Sequence, residues 1–146
     1  MSRRGKRCHD ASEVFELSIA EPMTGMELAR SGRDIYWEKW RYCGGEMIEL
    51  ETKRFKLIRF DHLSNLEAAV SAMRDGGYKA PYGQWLHALK KSLPDQNNTA
   101  ISIASPFWRD EVGRIRYPRL DCSGNFRFGH ANDYFLCHQR WLIEVE

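Results

Sequence analysis

Two helices are encoded by residues 64–94, which read SNLEAAVSAMRDGGYKAPYGQWLHALKKSLP. The first four letters match a capping box, in which the serine and glutamate side chains satisfy free backbone N–H groups at a helix start. Leu66, Val70 and Met73 then recur at the spacing of one helical face. Gly77, preceded by a second glycine, supplies the residue type that commonly ends a helix. The pattern therefore predicts a first amphipathic helix.

A second helix follows between Pro81 and Pro94, because proline suits a first helical turn and stops a helix that runs into it. Trp85, Leu86 and Leu89 again share one face of this helix. Only about five residues separate the two helices, and short connections favour antiparallel neighbours. We expect a helical hairpin whose two apolar faces pack on a common sheet.

Alternating apolar and polar residues predict strands on both sides of the helical pair. The segments with this pattern lie at residues 47–60, 99–104, 114–117, 126–128 and 140–145. The order is β–α–α–β–β–β–β, which is typical of an α+β fold. The prediction is a two-helix hairpin packed on one face of a mainly antiparallel sheet.

Composition excludes two classes of protein. The chain has 146 residues, a formal net charge of +2 and 42% hydrophobic residues, with a mean hydropathy of −0.59. These values do not fit a membrane-spanning protein or a highly charged disordered chain. The four cysteines are widely spaced, and the basic first seven residues lack the apolar core of a signal peptide. We expect reduced thiols and a cytoplasmic location.

Residues 1–46 form a less regular N-terminal extension, which we separate from a single α+β domain at residues 47–146. Two interpretations of the extension stay open. It is a loosely held, partly disordered segment, or it is an untranslated leader read as protein. The second follows from Gly44-Gly45-Glu46, whose codons resemble a bacterial ribosome-binding site directly before Met47 as start codon.

Several short stretches carry a resemblance to a known group of proteins. They are Gly83-Gln84-Trp85, Ala104-Ser105-Pro106-Phe107-Trp108, Tyr117-Pro118 and the terminal Arg140-Trp141-Leu142-Ile143-Glu144-Val145-Glu146. Residues 47–146 thereby resemble short hypothetical proteins from the genomes of uncultured candidate-phyla bacteria. That group has no assigned activity, so the resemblance implies no function. Since it begins at Met47, it favours the leader interpretation.

Cysteine and histidine come closest together in the last quarter of the chain, at Cys122, His130, Cys137 and His138. Such residues can hold zinc or form a thiol and imidazole nucleophile pair. Neither chemistry has its usual spacing here, because only Cys137 and His138 are close. The sequence also lacks the standard nucleotide-loop, hydrolase and zinc-protease motifs. We therefore predict no metal, no cofactor and no catalytic residue, and keep a small Cys/His enzyme as an alternative.

Arginines alternate with aromatic residues on two neighbouring predicted strands. The arginines are Arg114, Arg116, Arg119 and Arg127, and the aromatics are Tyr117, Phe126 and Phe128. A sheet of this kind can stack bases and neutralise phosphates. However, residues 47–146 hold 14 Lys and Arg against 12 Asp and Glu, which is not the basic balance of a nucleic-acid module. RNA binding is thus the less favoured alternative.

Trp108 lies in a predicted loop, Pro106–Asp110, without apolar neighbours in phase. Exposed tryptophans on loops are frequent anchors in protein interfaces. The sequence therefore predicts a small non-enzymatic binding module for an unidentified protein partner, with no membrane association. Its candidate partner-binding residues are Trp108, Arg109, Arg114, Arg116, Arg119 and Arg127.

Overall fold

The computed structural model describes residues 8–9, 13–19, 21–45, 51–61, 65–92, 100–133 and 139–146. Three α-helices lie in these ranges: α1 (Gly25–Ser31), α2 (Leu66–Gly76) and α3 (Gln84–Ser92). The strands are β1 (Cys8–His9), β2 (Phe15–Ile19), β3 (Arg41–Tyr42), β4 (Glu51–Phe60), β5 (Ile101–Ser102), β6 (Trp108–Arg109), β7 (Ile115–Leu120), β8 (Phe126–His130) and β9 (Arg140–Val145). The predicted α+β class is confirmed. No helix in these ranges is both long and apolar enough to span a membrane.

The strands described here form one sheet in the order β1, β4, β9, β5, β7, β6, β3. Strand β2 also pairs with β4, and β8 pairs with β7. Every pairing is antiparallel except that of β5 with β9. The prediction of a mainly antiparallel sheet is therefore confirmed.

The two predicted helices lie on opposite faces of the sheet, which differs from the one-face hairpin expected from sequence. Leu57 pairs with Leu142, and both pack in the core that contains α3. Ile58 pairs with Trp141, and both pack in the separate core that contains α2. Because neighbouring strand residues point to opposite faces, α2 and α3 cover different sides.

The physical reason is that the central strands are apolar on both faces. In β9, Trp141, Leu142 and Ile143 are consecutive and all buried, and β4 buries Leu57 next to Ile58. A strand with such a run must be covered on both sides. The connection from α2 to α3 passes from one face to the other beside β9, where the backbone N–H of Glu144 donates to the carbonyl oxygen of Lys79 at 2.9 Å.

The described residues before Met47 belong to the same sheet and core. Strand β2 pairs with β4 from Phe15 opposite Phe55 to Ile19 opposite Glu51. Leu17 and Leu28 are buried in the core cluster that also holds Trp85 of α3. The α3 face of the sheet thus depends on side chains from this segment. Whether residues 1–46 are translated stays a prediction.

Local signals define the ends of α2 nearly as the sequence predicts. The N-cap is Asn65, whose Oδ1 accepts a hydrogen bond of 3.0 Å from the backbone N–H of Ala68. The predicted cap Ser64 lies outside the described residues. At the other end Gly77 has φ of 71°, a left-handed conformation that glycine adopts without steric cost. The predicted helix end is confirmed.

We expect Leu28→Ala to lower the free energy of unfolding by about 2–5 kcal/mol, because it removes a fully buried side chain from the core. Urea denaturation followed by circular dichroism measures the change. The control Glu38→Ala removes an exposed side chain and should change stability by less than about 0.5 kcal/mol. Equal stability of both variants would contradict a structural role for the segment before Met47.

Peptides from residues 20–45 in mass spectra of the native protein would establish that the extension is translated. A chain beginning at Met47 would lack β2 and α1 and would leave the α3 side of the core uncovered. We expect that shortened chain to lose cooperative unfolding. Cooperative unfolding of the shortened chain would support the leader interpretation instead.

Candidate anion-binding cleft

Trp108 is fully buried, with 0% relative exposure, so its assignment as an exposed anchor is wrong. Its Nε1 donates a hydrogen bond of 2.9 Å to the carbonyl oxygen of Gly25. Its ring packs against Tyr42 at 4.7 Å and Phe128 at 5.1 Å between centroids. The burial cannot be predicted from the sequence, because Trp108 lies in the two-residue strand β6, paired with β7, and a strand this short has no periodicity.

Arg116 is a buried structural residue whose side chain is 9% exposed. Its Nε donates to Oδ2 of Asp110 at 2.9 Å, and its Nη1 lies 3.5 Å from Oδ1 of Asp34. The guanidinium also stacks over the Trp40 ring at 4.9 Å. Arg114 shares the same Asp110 oxygen at 3.0 Å. Both arginines are therefore engaged within the protein.

Asp110 organises this group of charges. Burial raises its pKa, but hydrogen bonds from Arg116 and from the backbone N–H groups of Arg114 and Val112 outweigh burial and lower the pKa to about 2. Because this folded-state pKa is below the ordinary 3.8, the carboxylate stabilises the fold at higher pH. That contribution is lost as the pH falls below 3.8 towards 2.

The remaining predicted arginines have different surroundings. Arg109 donates from Nη1 to the carbonyl oxygen of Gly113 at 3.0 Å. Arg119 is half-buried near Tyr117, whose pKa is raised by burial and lowered by the nearby Arg119 charge, with burial the larger effect. Arg127 lines an open cleft. The structure thus separates these arginines instead of presenting one basic face.

The aromatic residues of β7 and β8 are covered. Tyr117, Phe126 and Phe128 are all at most 5% exposed. Phe126 and Phe128 pack in the core beneath α3, whereas Tyr117 packs in the core beneath α2. Buried rings are not accessible for base stacking, so these three residues do not form the nucleic-acid platform considered from sequence.

Cys122 and His130 lie at opposite ends of β8. Cys122 is exposed in the turn before the strand, and His130 is its last residue. Five strand residues span roughly 13 Å or more, so the two side chains cannot ligate one metal ion. Cys137 and His138 lie outside the described residues. Within the described ranges no three potential metal ligands of the His, Cys, Asp or Glu type come together.

A cleft with a volume of about 540 Å³ opens between α1, α3 and the start of β8. Helix α1 is fixed at its start by a capping box, with Thr24 Oγ1 accepting from the backbone N–H of Glu27 at 3.1 Å. Helix α3 buries its apolar face and contributes His87 and Lys90 to the cleft. The lining residues are Met23, Glu27, Arg30, Ser31, Arg33, His87, Lys90, Asn125, Phe126 and Arg127.

Positive charge dominates this cleft, which has four cationic side chains and one carboxylate in its lining. The cations are Arg30, Arg33, Lys90 and Arg127. The carboxylate belongs to Glu27, and its Oε1 already accepts from the backbone N–H of Thr24 at 3.1 Å. Asp34 is within electrostatic reach of Arg127, but its own ion pair is with Arg116. The cleft therefore has an excess of positive charge.

Arg33 is held in the cleft by an unusual backbone conformation. Its φ is 59°, in the left-handed region that costs a non-glycine residue on the order of 1 kcal/mol or more. The preceding Gly32 does not take this conformation, because its φ is −75°. Glycine is needed there for space, since a Cβ at Gly32 would lie 2.6 Å from the Phe128 ring.

His87 lies on the polar side of α3, half-buried against the edge of the Phe126 ring at 6.0 Å between centroids. Burial lowers its pKa below 6.5, and the nearby charges of Lys91 and Lys90 lower it further. His87 is therefore mainly uncharged at neutral pH. The spacing of His87 along α3 gives no sign that residues of α1 and β8 line the same cleft.

We expect Asp110→Asn to lower the free energy of unfolding by about 3–5 kcal/mol, because it leaves two arginines without their shared carboxylate. Chemical denaturation at neutral pH measures this loss. Asp121→Asn is the matched control, since Asp121 Oδ1 accepts from Ser123 and Asn125 N–H groups in the same local pattern. Its substitution should cost less than about 1 kcal/mol, and equal losses would contradict the ion-pair role.

Comparison with known proteins gives no family for this chain. No protein-family model matches the sequence, and neither the curated proteins nor the solved structures include a significant match.

Proposed function

We propose that this protein is a small non-enzymatic binding module whose basic cleft binds a phosphate-bearing ligand. The observation that carries the proposal is the convergence of Arg30, Arg33, Lys90 and Arg127 on one concavity. The whole chain has a net charge of only +2. Positive charge is thus concentrated locally instead of spread over the surface.

The concave shape of the site strengthens the electric field of these charges. Clefts lined by one sign of charge focus the electric field and raise the local concentration of an oppositely charged ligand. Arginine presents several N–H donors in a plane, which matches the oxygens of a phosphate group. The arginine fork matches carboxylates as well, but four cations around one cleft favour a multiply charged phosphate over a small halide or a lone carboxylate.

The strained backbone at Arg33 supports the same proposal. Residues in unfavourable backbone conformations concentrate at ligand sites, where the surrounding structure holds them in place. Arg33 combines such a conformation with a position in the lining of the cleft.

A cytoplasmic location belongs to this proposal. Cys43 and Cys122 are free thiols on the surface, as is usual in a reducing compartment. A binding module in that compartment has access to many phosphorylated small molecules and to RNA. The protein-partner interpretation loses its main support, because Trp108 is buried.

We expect Arg30→Gln to weaken the binding of inorganic tripolyphosphate about tenfold, because hydrogen bonds to charged groups contribute about 1.5–3 kcal/mol. Isothermal titration calorimetry at low salt measures the affinity. Arg74→Gln is the matched control: Arg30 and Arg74 are both exposed in the last turn of a helix, but α2 lies on the opposite face. Equal affinities of the two variants, or no binding by the native protein, would refute the proposal.

We also expect anion affinity to rise as the pH falls below 6.5. The pKa of His87 is lowered in the free protein, and a bound anion favours the protonated ring, so binding is coupled to proton uptake. The charged residues that line the two cavities around His87 are Lys90, Lys91, Arg30, Arg33, Arg127, Glu27 and Glu21. Inorganic sulfate is the probe, because its own charge stays constant over this range.

The His87→Gln variant isolates this effect. It keeps a polar side chain but removes the titrating ring, so its sulfate affinity should not rise below pH 6.5. The native protein should bind several times more tightly at pH 5.5 than at pH 7.5. An identical pH profile in both proteins would show that His87 does not contact the anion.

A further inference from the structure

Residues 30–36 run from the last turn of α1 into the segment that follows it, and they carry two of the cations that line the basic cleft, Arg30 and Arg33. Arg33 has φ of 59° and Tyr36 has φ of 66°, so this short stretch holds two non-glycine residues in the left-handed region. Such residues persist only where the surrounding structure holds them in place. The contacts that hold Arg33 therefore decide whether it stays in the lining of the cleft.

On its N-terminal side, Arg33 is fixed by close packing and by one hydrogen bond. The backbone at Gly32 approaches β8 so closely that a Cβ there would lie 2.6 Å from the Phe128 ring. The backbone N–H of Arg33 donates to the carbonyl oxygen of Arg30 at 3.2 Å. These contacts fix the chain as it enters Arg33, and its exit from Arg33 depends on the next residue.

That next residue, Asp34, ties the segment to the buried charges of β7. Its Oδ1 lies 3.5 Å from Nη1 of Arg116, and its side chain is only 27% exposed. Arg116 is itself fixed, because its Nε donates to Asp110 at 2.9 Å and its guanidinium stacks over the Trp40 ring. A partly buried ion pair is screened by water and salt much less than an exposed one. Asp34 therefore has a firm anchor.

We propose that Asp34 is a positioning residue for the basic cleft, whose ion pair with Arg116 holds Arg33 in the left-handed conformation in which it lines the cleft. This inference rests on the proposed function, because it assigns Arg33 to the bound anion. Without the ion pair, the anion must order this segment as it binds, and ordering a long side chain costs affinity. Asp34 thus supports the binding of negative charge although it is itself negative.

The negative charge of Asp34 separates this role from simple electrostatics. Asp34 is within electrostatic reach of Arg127, another cation in the lining of the cleft. A carboxylate at this place repels an incoming anion, so removing its charge alone raises anion affinity. Loss of positioning lowers the affinity instead. The two effects have opposite signs, and the direction of the change decides between them.

We expect Asp34→Ala to weaken the binding of inorganic tripolyphosphate about threefold to tenfold, the cost of ordering one long side chain. Isothermal titration calorimetry at low salt measures the affinity. The matched control is Glu38→Ala, which removes an exposed carboxylate from the same part of the chain and should bind at least as tightly as the native protein. An affinity of Asp34→Ala equal to or above the native value would overturn the proposal.

A double-mutant cycle with Arg33→Gln distinguishes positioning from a general loss of structure. Arg33→Gln should itself weaken tripolyphosphate binding about tenfold, as the loss of a hydrogen bond between charged groups would give. Adding Asp34→Ala to this variant should cause no further loss, because the side chain to be positioned is gone. The inference is wrong if Asp34→Ala costs the same in both backgrounds, or if Arg33→Gln binds like the native protein.

Amide hydrogen exchange reports on the same ion pair in the free protein. The N–H of Arg33 should exchange several-fold faster in Asp34→Ala than in the native protein, and at the native rate in Glu38→Ala. An unchanged rate in Asp34→Ala would contradict the role of the ion pair. Circular dichroism establishes that Asp34→Ala is folded. If it is not, Asp34→Asn, which keeps the size of the side chain and loses its charge, takes its place in every comparison.

The proposed function and the role of Asp34 fail in different ways. If the native protein does not bind tripolyphosphate, both fail. If the native protein binds it and Asp34→Ala binds it equally well, only the positioning role fails and the anion site stands.

Discussion

The pairing of β4 with β9 is the constraint on which the rest of the structure depends. These neighbouring strands are apolar on both faces, with Leu57 and Leu142 on one side and Ile58 and Trp141 on the other. Apolar surface left in water is costly, at roughly 25 cal/mol for each Å². Both faces must therefore be covered, and the sheet lies between α2 on one side and α1 with α3 on the other.

The basic cleft follows from how the α3 face is covered. Helix α3 buries Trp85, Leu86 and Leu89, which leaves His87 and Lys90 on its outer side. Helix α1 covers the neighbouring part of the core, and β8 pairs with β7 beyond it. The concavity where these elements meet collects the cations that each of them carries on its polar side. Charge is concentrated there because three amphipathic elements converge.

Strands β7 and β8, which carry the arginines, show what alternation can and cannot predict. Alternation correctly predicted the strands around Ile115 and Phe126, and the aromatic residues of both strands are buried. Alternation could not show that Arg116 is buried, because a solvated arginine and one paired with Asp110 have the same spacing. The pairing depends on the turn that brings Asp110 back to β7, and that turn has no periodic signal.

Local chemistry in the sequence determined the two helices, the end of α2 at Gly77, the main strands and the α+β class, since each depends on neighbours within a few residues. Only the tertiary structure decided which face of the sheet each helix covers and that β2 and α1 complete one core. It also decided that Trp108 is buried and that Arg30, Arg33, Lys90 and Arg127 line one cleft. These features depend on contacts between residues far apart in the chain. The free energy of such contacts comes from covering shared apolar surface, which no single stretch of sequence specifies.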